Sequence, residues 1–108
     1  MGTTEFLSQL CQDLTDNGAT SRQLLALEFD AVGKHVNMLV RKEPHIEEYP
    51  DLGTIFSEIG RDCDQDGLSP HKLQRILFLQ AEIKVALVED GGQLIIYTYG
   101  IVADHLDA

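Results

Sequence analysis

The sequence is poor in positive charge. Its 8 lysines and arginines stand against 18 aspartates and glutamates, which gives a formal net charge of −10. Such a charge repels the phosphate backbones of nucleic acids, so nucleic-acid binding is not expected. Three of the bases, Lys34, Arg41 and Lys42, can form one small basic patch, although the end of a solvated helix explains them equally well.

Cysteine is also scarce, and no long apolar run is present. Cys11 and Cys63 lie far apart in the sequence, and residues 1–6 lack the basic and apolar regions of a secretory leader. Both cysteines are therefore expected to be free thiols in a reducing compartment. No apolar stretch approaches the length needed to cross a bilayer. The expectation is a cytoplasmic protein that does not contact a membrane.

The length gives room for a single domain, residues 1–108. This is near the lower end of common domain sizes, and the hydrophobic fraction of 44% supports a packed core rather than disorder. No internal repeat is evident in the sequence.

Two segments of the front half have apolar residues at three- and four-residue spacing, which is typical of an amphipathic helix. The first predicts a helix over residues 4–16, closed by Asn17 and Gly18, which tolerate the left-handed conformation that often ends a helix. The second predicts a helix over about residues 51–61. The apolar residues of the two patterns are Phe6, Leu7, Leu10, Cys11 and Leu14, then Leu52, Ile55, Phe56 and Ile59.

Between these two helices the pattern admits two structures. Thr20 and Gln23 are spaced as a helix-capping box, and a stripe of apolar residues continues to Pro44, which predicts a helix of about 20 residues. The same residues also alternate on either side of Gly33, as they would in a β-hairpin. Good helix formers in the first half of the segment favour the helix, and residues 24–41 stay open between helix and strand.

A further helix start is indicated at Ser69. Ser69 has the chemistry of an N-cap, Pro70 suits the first helical position, and Leu68 and Leu73 can contact each other across the first turn. This predicts a helix that begins near Pro70 and ends at Leu79 or Gln80.

The back of the chain predicts a β-hairpin. Two β-prone runs, residues 83–88 and 93–99, flank Asp90-Gly91, which is a strong hairpin signal. A two-residue turn there pairs the strands in one register. In that register the apolar face pairs Leu87 with Leu94, Val85 with Ile96 and Ile83 with Thr98, and the mixed face pairs Lys84 with Tyr97 and Glu82 with Tyr99.

The predicted fold class is therefore α+β, with three to four helices packed on a C-terminal antiparallel β-hairpin. The alternative is an all-α five-helix domain, in which a helix over residues 70–89 and a last helix near 93–106 replace the hairpin. That alternative places Lys84 in the middle of an apolar face, so the hairpin is preferred.

One motif suggests metal chemistry. Asp62, Asp64 and Asp66 precede Gly67, and this D-x-D-x-D-G run resembles the first half of an EF-hand calcium loop. The resemblance implies calcium bound by these three carboxylates. The second half departs from the family, because the twelfth position is Leu73 instead of the bidentate glutamate. The competing interpretation is a helix-capping turn ahead of Ser69, and no other cofactor is expected.

Tyr97 and Tyr99 are the better candidates for recognition of a partner. Tyrosine offers a large amphipathic surface and is enriched at interface hot spots, and the predicted register places both beside Lys84 and Glu82 on one face. The competing interpretation is that the tyrosines cover the core. The free edge of the hairpin can also pair with a second copy of the chain, so a homodimer is expected.

These observations favour a small, acidic, non-enzymatic regulatory protein that binds and modulates or inhibits another protein. The histidines and serines form no recognisable catalytic arrangement, and the negative charge would steer the protein toward a basic surface. Two alternatives remain, a calcium-binding protein that uses the degenerate EF-hand-like loop and a phage-type inhibitor that imitates the charge of DNA.

Overall fold

The structure, a computed structural model, describes residues 2–30 and 35–101. Its two helices and five strands follow in the order α1 (Thr3–Asp16), β1 (Leu24–Phe29), β2 (Val36–Val40), α2 (Leu52–Gln65), β3 (Leu73–Phe78), β4 (Glu82–Val88) and β5 (Leu94–Gly100). Short 3-10 turns, Ser21–Gln23 and Pro70–Lys72, lead into β1 and β3. Neither described helix is long and apolar enough to span a membrane.

The strands form one antiparallel sheet in the order β2-β1-β3-β4-β5. Both helices pack on one face of this sheet, and the start of α1 lies against the end of α2. The core lies between the two layers and consists mainly of aliphatic residues with two buried phenylalanines, Phe56 and Phe78. The other face of the sheet, which we call the open face, carries the alternate side chains of every strand.

The predicted fold class is wrong, and so is its all-α alternative. Helices near 4–16 and 51–61 are confirmed, although the second extends to Gln65. Residues 24–29 and 36–40 form a hairpin, and the helix predicted from Pro70 is a three-residue turn followed by β3. Residues 31–34, between the two strands of the first hairpin, lie outside the described residues.

A β-bulge explains why both strands resembled helices. The register of β1 shifts between Leu24 and Ala26, and that of β3 shifts between Leu73 and Arg75. A bulge inserts one extra residue, so the next side chain on the same face comes three positions later instead of two. The buried pairs Leu24/Leu27 and Leu73/Ile76 therefore have the spacing of a helix while lying on strands.

The C-terminal hairpin is confirmed, but its predicted register is wrong by one residue. Val88 pairs with Leu94, so the connection holds five residues, and the backbone N–H of Glu89 donates to the carbonyl of Gln93 (2.8 Å). Ile83 consequently lies opposite Tyr99, and Val85 opposite Tyr97.

The two halves of the chain repeat one order of elements, which the sequence did not reveal. Helix, 3-10 turn, bulged strand and second strand occur twice, and the counterparts begin 49 residues apart: Thr3 and Leu52, Ser21 and Pro70, Leu24 and Leu73. Both helices are followed by a glycine with positive φ, Gly18 (80°) and Gly67 (72°), as expected of the residue that ends a helix in the left-handed conformation.

The centre of the sheet lies on the axis of this repeat. Leu27 and Ile76 are counterparts, and they are also direct partners across β1 and β3. A pseudo-twofold axis therefore passes between them and relates β1 to β3 and β2 to β4. Strand β5 has no counterpart in the first half among the described residues.

Candidate functional site

The aspartate run begins in the last turn of α2 and continues past its end. Asp62 and Asp64 belong to the helix, and Asp66 is its C-cap. Alternate residues of a helix point about 200° apart, because one turn takes 3.6 residues. Asp64 therefore points away from Asp62 and Asp66, which lie one turn apart on the same side, and it contacts a different part of the protein.

Asp64 caps the other helix. Its two carboxylate oxygens accept hydrogen bonds from the backbone N–H groups of Thr3 (2.7 Å) and Thr4 (3.0 Å), at the start of α1. Hydrogen bonds from Thr4 and Thr3 hold the pKa of Asp64 below its ordinary value. The N-cap position itself is Gly2, which has no capping side chain, so a carboxylate from the second half supplies the cap.

Asp62 and Asp66 bind the two tyrosines of β5. The Tyr99 hydroxyl donates to Asp62 (2.8 Å), and the Tyr97 hydroxyl donates to Asp66. The rings meet edge to face with centroids 6.5 Å apart. Burial and the hydrogen bond to the carboxylate both raise the pKa of each phenol. The tyrosines thus attach β5 to the end of α2.

This geometry assigns a structural contact to each residue of the motif that suggested calcium. Among the residues that the structure describes, no three histidine, cysteine or acidic side chains are grouped so that they could hold a metal ion. Cys63, between the first two aspartates, is fully buried, and burial with the neighbouring carboxylates raises the pKa of its thiol to about 12.

The four residues proposed for partner binding do not share one surface. Tyr97 and Tyr99 lie on the face of the sheet that packs against the helices, whereas Lys84 and Glu82 lie on the open face. Lys84 Nζ lies 3.8 Å from Glu82 Oε1, and both side chains are partly exposed. The shared mixed face expected from the sequence is therefore wrong, because the register differs by one residue.

Exposed apolar side chains are concentrated on the sheet. Of the seven large hydrophobic residues that are exposed, six belong to strands and five to the two outer strands, β2 and β5. They are Leu25 on β1, Met38, Leu39 and Val40 on β2, and Leu94 and Ile96 on β5, with Ile46 outside the sheet.

Charge is distributed unevenly between the two layers. The helices α1 and α2 carry six acidic residues and one basic residue, Arg61. The five strands carry two acidic and two basic residues, Glu28, Glu82, Arg75 and Lys84, so their formal charges cancel. The protein therefore has an acidic helix layer and a neutral sheet with exposed apolar side chains.

The sequence did not predict β2 as a surface, because a helix was favoured over a hairpin for residues 24–41. Met38, Leu39 and Val40 are three consecutive exposed apolar residues on an outer strand. The hairpin that was considered for residues 24–41 was the signal that could have found them.

His45 is a buried titratable residue in the loop before α2. Its ring stacks on Tyr49 with centroids 4.0 Å apart, and its Nε2 lies 3.0 Å from the carbonyl oxygen of Phe78. Burial, helped by the nearby Arg41, lowers the pKa of His45 below its usual 6.5. The Tyr49 hydroxyl donates to the next carbonyl, that of Leu79 (2.9 Å), so this pair anchors the loop to the end of β3.

Comparison with protein-family models, with curated proteins and with solved structures finds no match to this chain.

Proposed function

We propose that this is a small, non-enzymatic regulatory protein that binds another protein through its sheet and modulates it. One observation carries the proposal: the sheet has exposed apolar side chains and no net formal charge, although the chain as a whole has a net charge of −10. Apolar surface that is rimmed by polar residues is typical of protein interaction sites.

The outer strand β5 exposes two large apolar side chains. Leu94 is 56% exposed and Ile96 48% exposed, and they lie on the open face beside Val88 and Ala86 of β4. Complete burial of a fully exposed side chain of this size contributes about 1.5–3 kcal/mol, and since these two side chains are about half exposed, covering each of them contributes roughly half of that. The acidic helix layer stays hydrated and steers the protein toward a basic partner before the sheet makes contact.

A site-specific photo-crosslinker tests the surface that is used. We expect a crosslinker at Ile96, on the open face, to trap a partner protein in cells of the native host. The matched control is the same crosslinker at Gln12, an exposed position of α1. The substitution Leu94→Glu should abolish the adduct at Ile96, because a charge next to it prevents burial of the apolar surface.

Adducts from Gln12 with none from Ile96 would contradict this proposal and favour the inhibitor that imitates DNA charge, since that function uses the acidic helices. The absence of adducts at both positions would also contradict it.

A further inference from the structure

The outer edges of the equivalent strands β2 and β4 differ in whether another strand pairs with them. The outer edge of β4 is occupied by β5, which pairs with it along seven residues. The corresponding edge belongs to β2, and among the described residues only β1 pairs with that strand. Within the described ranges, the repeat thus contains one edge with a bound strand and one without.

The effect of the bound strand on burial is visible at equivalent positions. Met38 faces Leu27 as Val85 faces Ile76, so Met38 and Val85 are counterparts, and by the same pairing Val40 corresponds to Leu87. Val85 and Leu87 are both 0% exposed, whereas Met38 is 45% and Val40 61% exposed.

The helices repeat this contrast. On α2, Ile59 and Cys63 are fully buried, whereas their counterparts on α1, Leu10 and Leu14, are partly exposed. In the first half, apolar side chains of α1 and β2 are therefore exposed at the positions whose counterparts in the second half are buried beside β5.

The polar groups that hold β5 also have counterparts. Asp62 and Asp66 accept the hydroxyls of Tyr99 and Tyr97. At the 49-residue offset the corresponding residues are Asp13 of α1 and Asn17, the C-cap of that helix, and both are exposed. A surface cleft of about 340 Å³ is lined by Asn17 on one side and by Met38, Val40 and Arg41 on the other. The cleft runs where a strand added to β2 would place its own side chains.

The end of this edge is basic, although the chain as a whole is acidic. Arg41 and Lys42 follow directly after β2, and residues 35–42 contain no acidic residue. In the arrangement of β4 and β5, Leu94 faces Val88, and the counterpart of Val88 on the first hairpin is Arg41. A carboxylate at the first position of an added strand would therefore face Arg41, and opposite charges at facing positions favour strand pairing.

From these observations we infer that the outer edge of β2 binds an extended segment of the partner protein as an antiparallel sixth strand. The segment has an acidic residue opposite Arg41, an apolar residue opposite Val40, and tyrosines opposite Met38 and Val36 that donate to Asn17 and Asp13. Main-chain hydrogen bonds supply affinity in such strand addition, and alternate side chains supply specificity. This inference rests on the proposed function and specifies how the partner is held.

A synthetic peptide tests it. The probe has the sequence of residues 89–100 with glutamate in place of Leu94, so that it reproduces β5 with a carboxylate opposite Arg41. We expect calorimetry to detect binding to the intact protein, and amide chemical shifts to change along β2 and at Asp13 and Asn17. Replacing both tyrosines of the probe by phenylalanine, or its new glutamate by lysine, should weaken binding severalfold.

Variants of the protein locate the site. Met38→Lys places a charge on the side that the added strand must cover, and it should weaken binding of the probe about tenfold or more. Asn37→Lys is the matched control, because Asn37 is an exposed residue of the same strand on the open face, and it should change the affinity little. Val40→Lys gives a second test at a more exposed position.

Three results would overturn the inference: no binding of the probe at millimolar concentration, shift changes on β4 in place of β2, or equal affinity for the Met38→Lys and Asn37→Lys proteins. A wild-type dimer that Met38→Lys converts to a monomer would also overturn it, since a second copy would then occupy the edge. The proposed function is judged separately, because crosslinking at Ile96 does not depend on the probe.

Discussion

At the scale of single residues, the aspartate run shows how one sequence pattern supports two chemistries. Carboxylates at alternate positions converge in a loop but diverge on a helix, and here α2 extends through Gln65. Asp64 consequently joins α2 to α1, whereas Asp62 and Asp66 both join the end of α2 to β5. The capping-turn interpretation predicted that these aspartates bond to nearby residues, but their hydrogen-bond partners lie 31 to 61 residues away in the sequence.

We expect Tyr99→Phe to lower the free energy of unfolding by about 1–2 kcal/mol, because it removes a hydrogen bond to the carboxylate of Asp62 and keeps the ring. Urea unfolding of the two proteins measures the difference. Thr98→Ala, on the exposed side of the same strand, should change the free energy of unfolding by less than about 0.5 kcal/mol. Equal stability of Tyr99→Phe and wild type would show that the bond is not formed in solution.

His45 should make stability depend on pH. Its pKa is lowered in the folded protein from the usual 6.5, so below about pH 6.5 the unfolded chain binds more protons and the folded state loses stability. We expect the urea midpoint to fall between pH 7.5 and 5.5 by more in wild type than in His45→Gln. His35→Gln, at an exposed position, should keep the wild-type difference. An unchanged difference in His45→Gln would contradict the assignment.

At the scale of elements, the approach of α1 to α2 depends on Gly60. A Cβ atom there would lie 2.6 Å from the Cα atom of Thr4, whereas one at Gly53 would meet no atom closer than 3.5 Å. Alanine normally stabilises a helix by up to about 1 kcal/mol relative to glycine. The two glycines of α2 should therefore respond to alanine with opposite signs.

We expect Gly60→Ala to lower the free energy of unfolding by about 1–3 kcal/mol, the usual effect of overpacking. Gly53→Ala should leave it unchanged or raise it. Thermal or urea unfolding of the two variants gives the comparison directly, and a stabilised Gly60→Ala protein would show that the helices lie farther apart.

The helices were predictable because their apolar spacing is a local signal, and Asn17 and Gly18 marked the end of the first. The end of the second was predicted four residues too early, because the aspartate run was interpreted as a loop. The strands β1 and β3 were not, since a bulge in each produces helical spacing between buried leucines and isoleucines. The hairpin register failed for a related reason. Asp90-Gly91 signals a turn, but it does not determine whether two residues or five separate the strands.

At the scale of the whole molecule, the repeat was hidden because the two halves share its geometry and few of its residues. At the 49-residue offset, identical residues include Gly18 with Gly67, Leu24 with Leu73, and Phe29 with Phe78. These positions end a helix or begin and end a strand. Ser8 with Ser57 and Asp13 with Asp62 also match, but at most other positions the two halves have different residues, for example Cys11 and Gly60.

The homodimer stays a prediction. A second copy of the chain could pair with the outer edge of β5, which the strand proposed to add to β2 does not use. The outer edge of β5 is the second end of the sheet, and two copies joined there would form one continuous sheet. We expect light scattering to give twice the chain mass of 12.0 kDa, in wild type and in Met38→Lys alike. A mass of 12.0 kDa for the wild type would contradict this.

The pairing of β1 with β3 also determines how the chain can fold. The other three strand pairs join consecutive strands, so each half can assemble from contacts that are close in sequence. Leu27 and Ile76 meet only after the loop that contains α2 has closed, and closing a long loop costs entropy before any contact repays it. Folding speed should therefore be governed by the joining of two preformed halves at this central pair, and mutations at Leu27 or Ile76 should slow folding more than equally destabilising ones in β5.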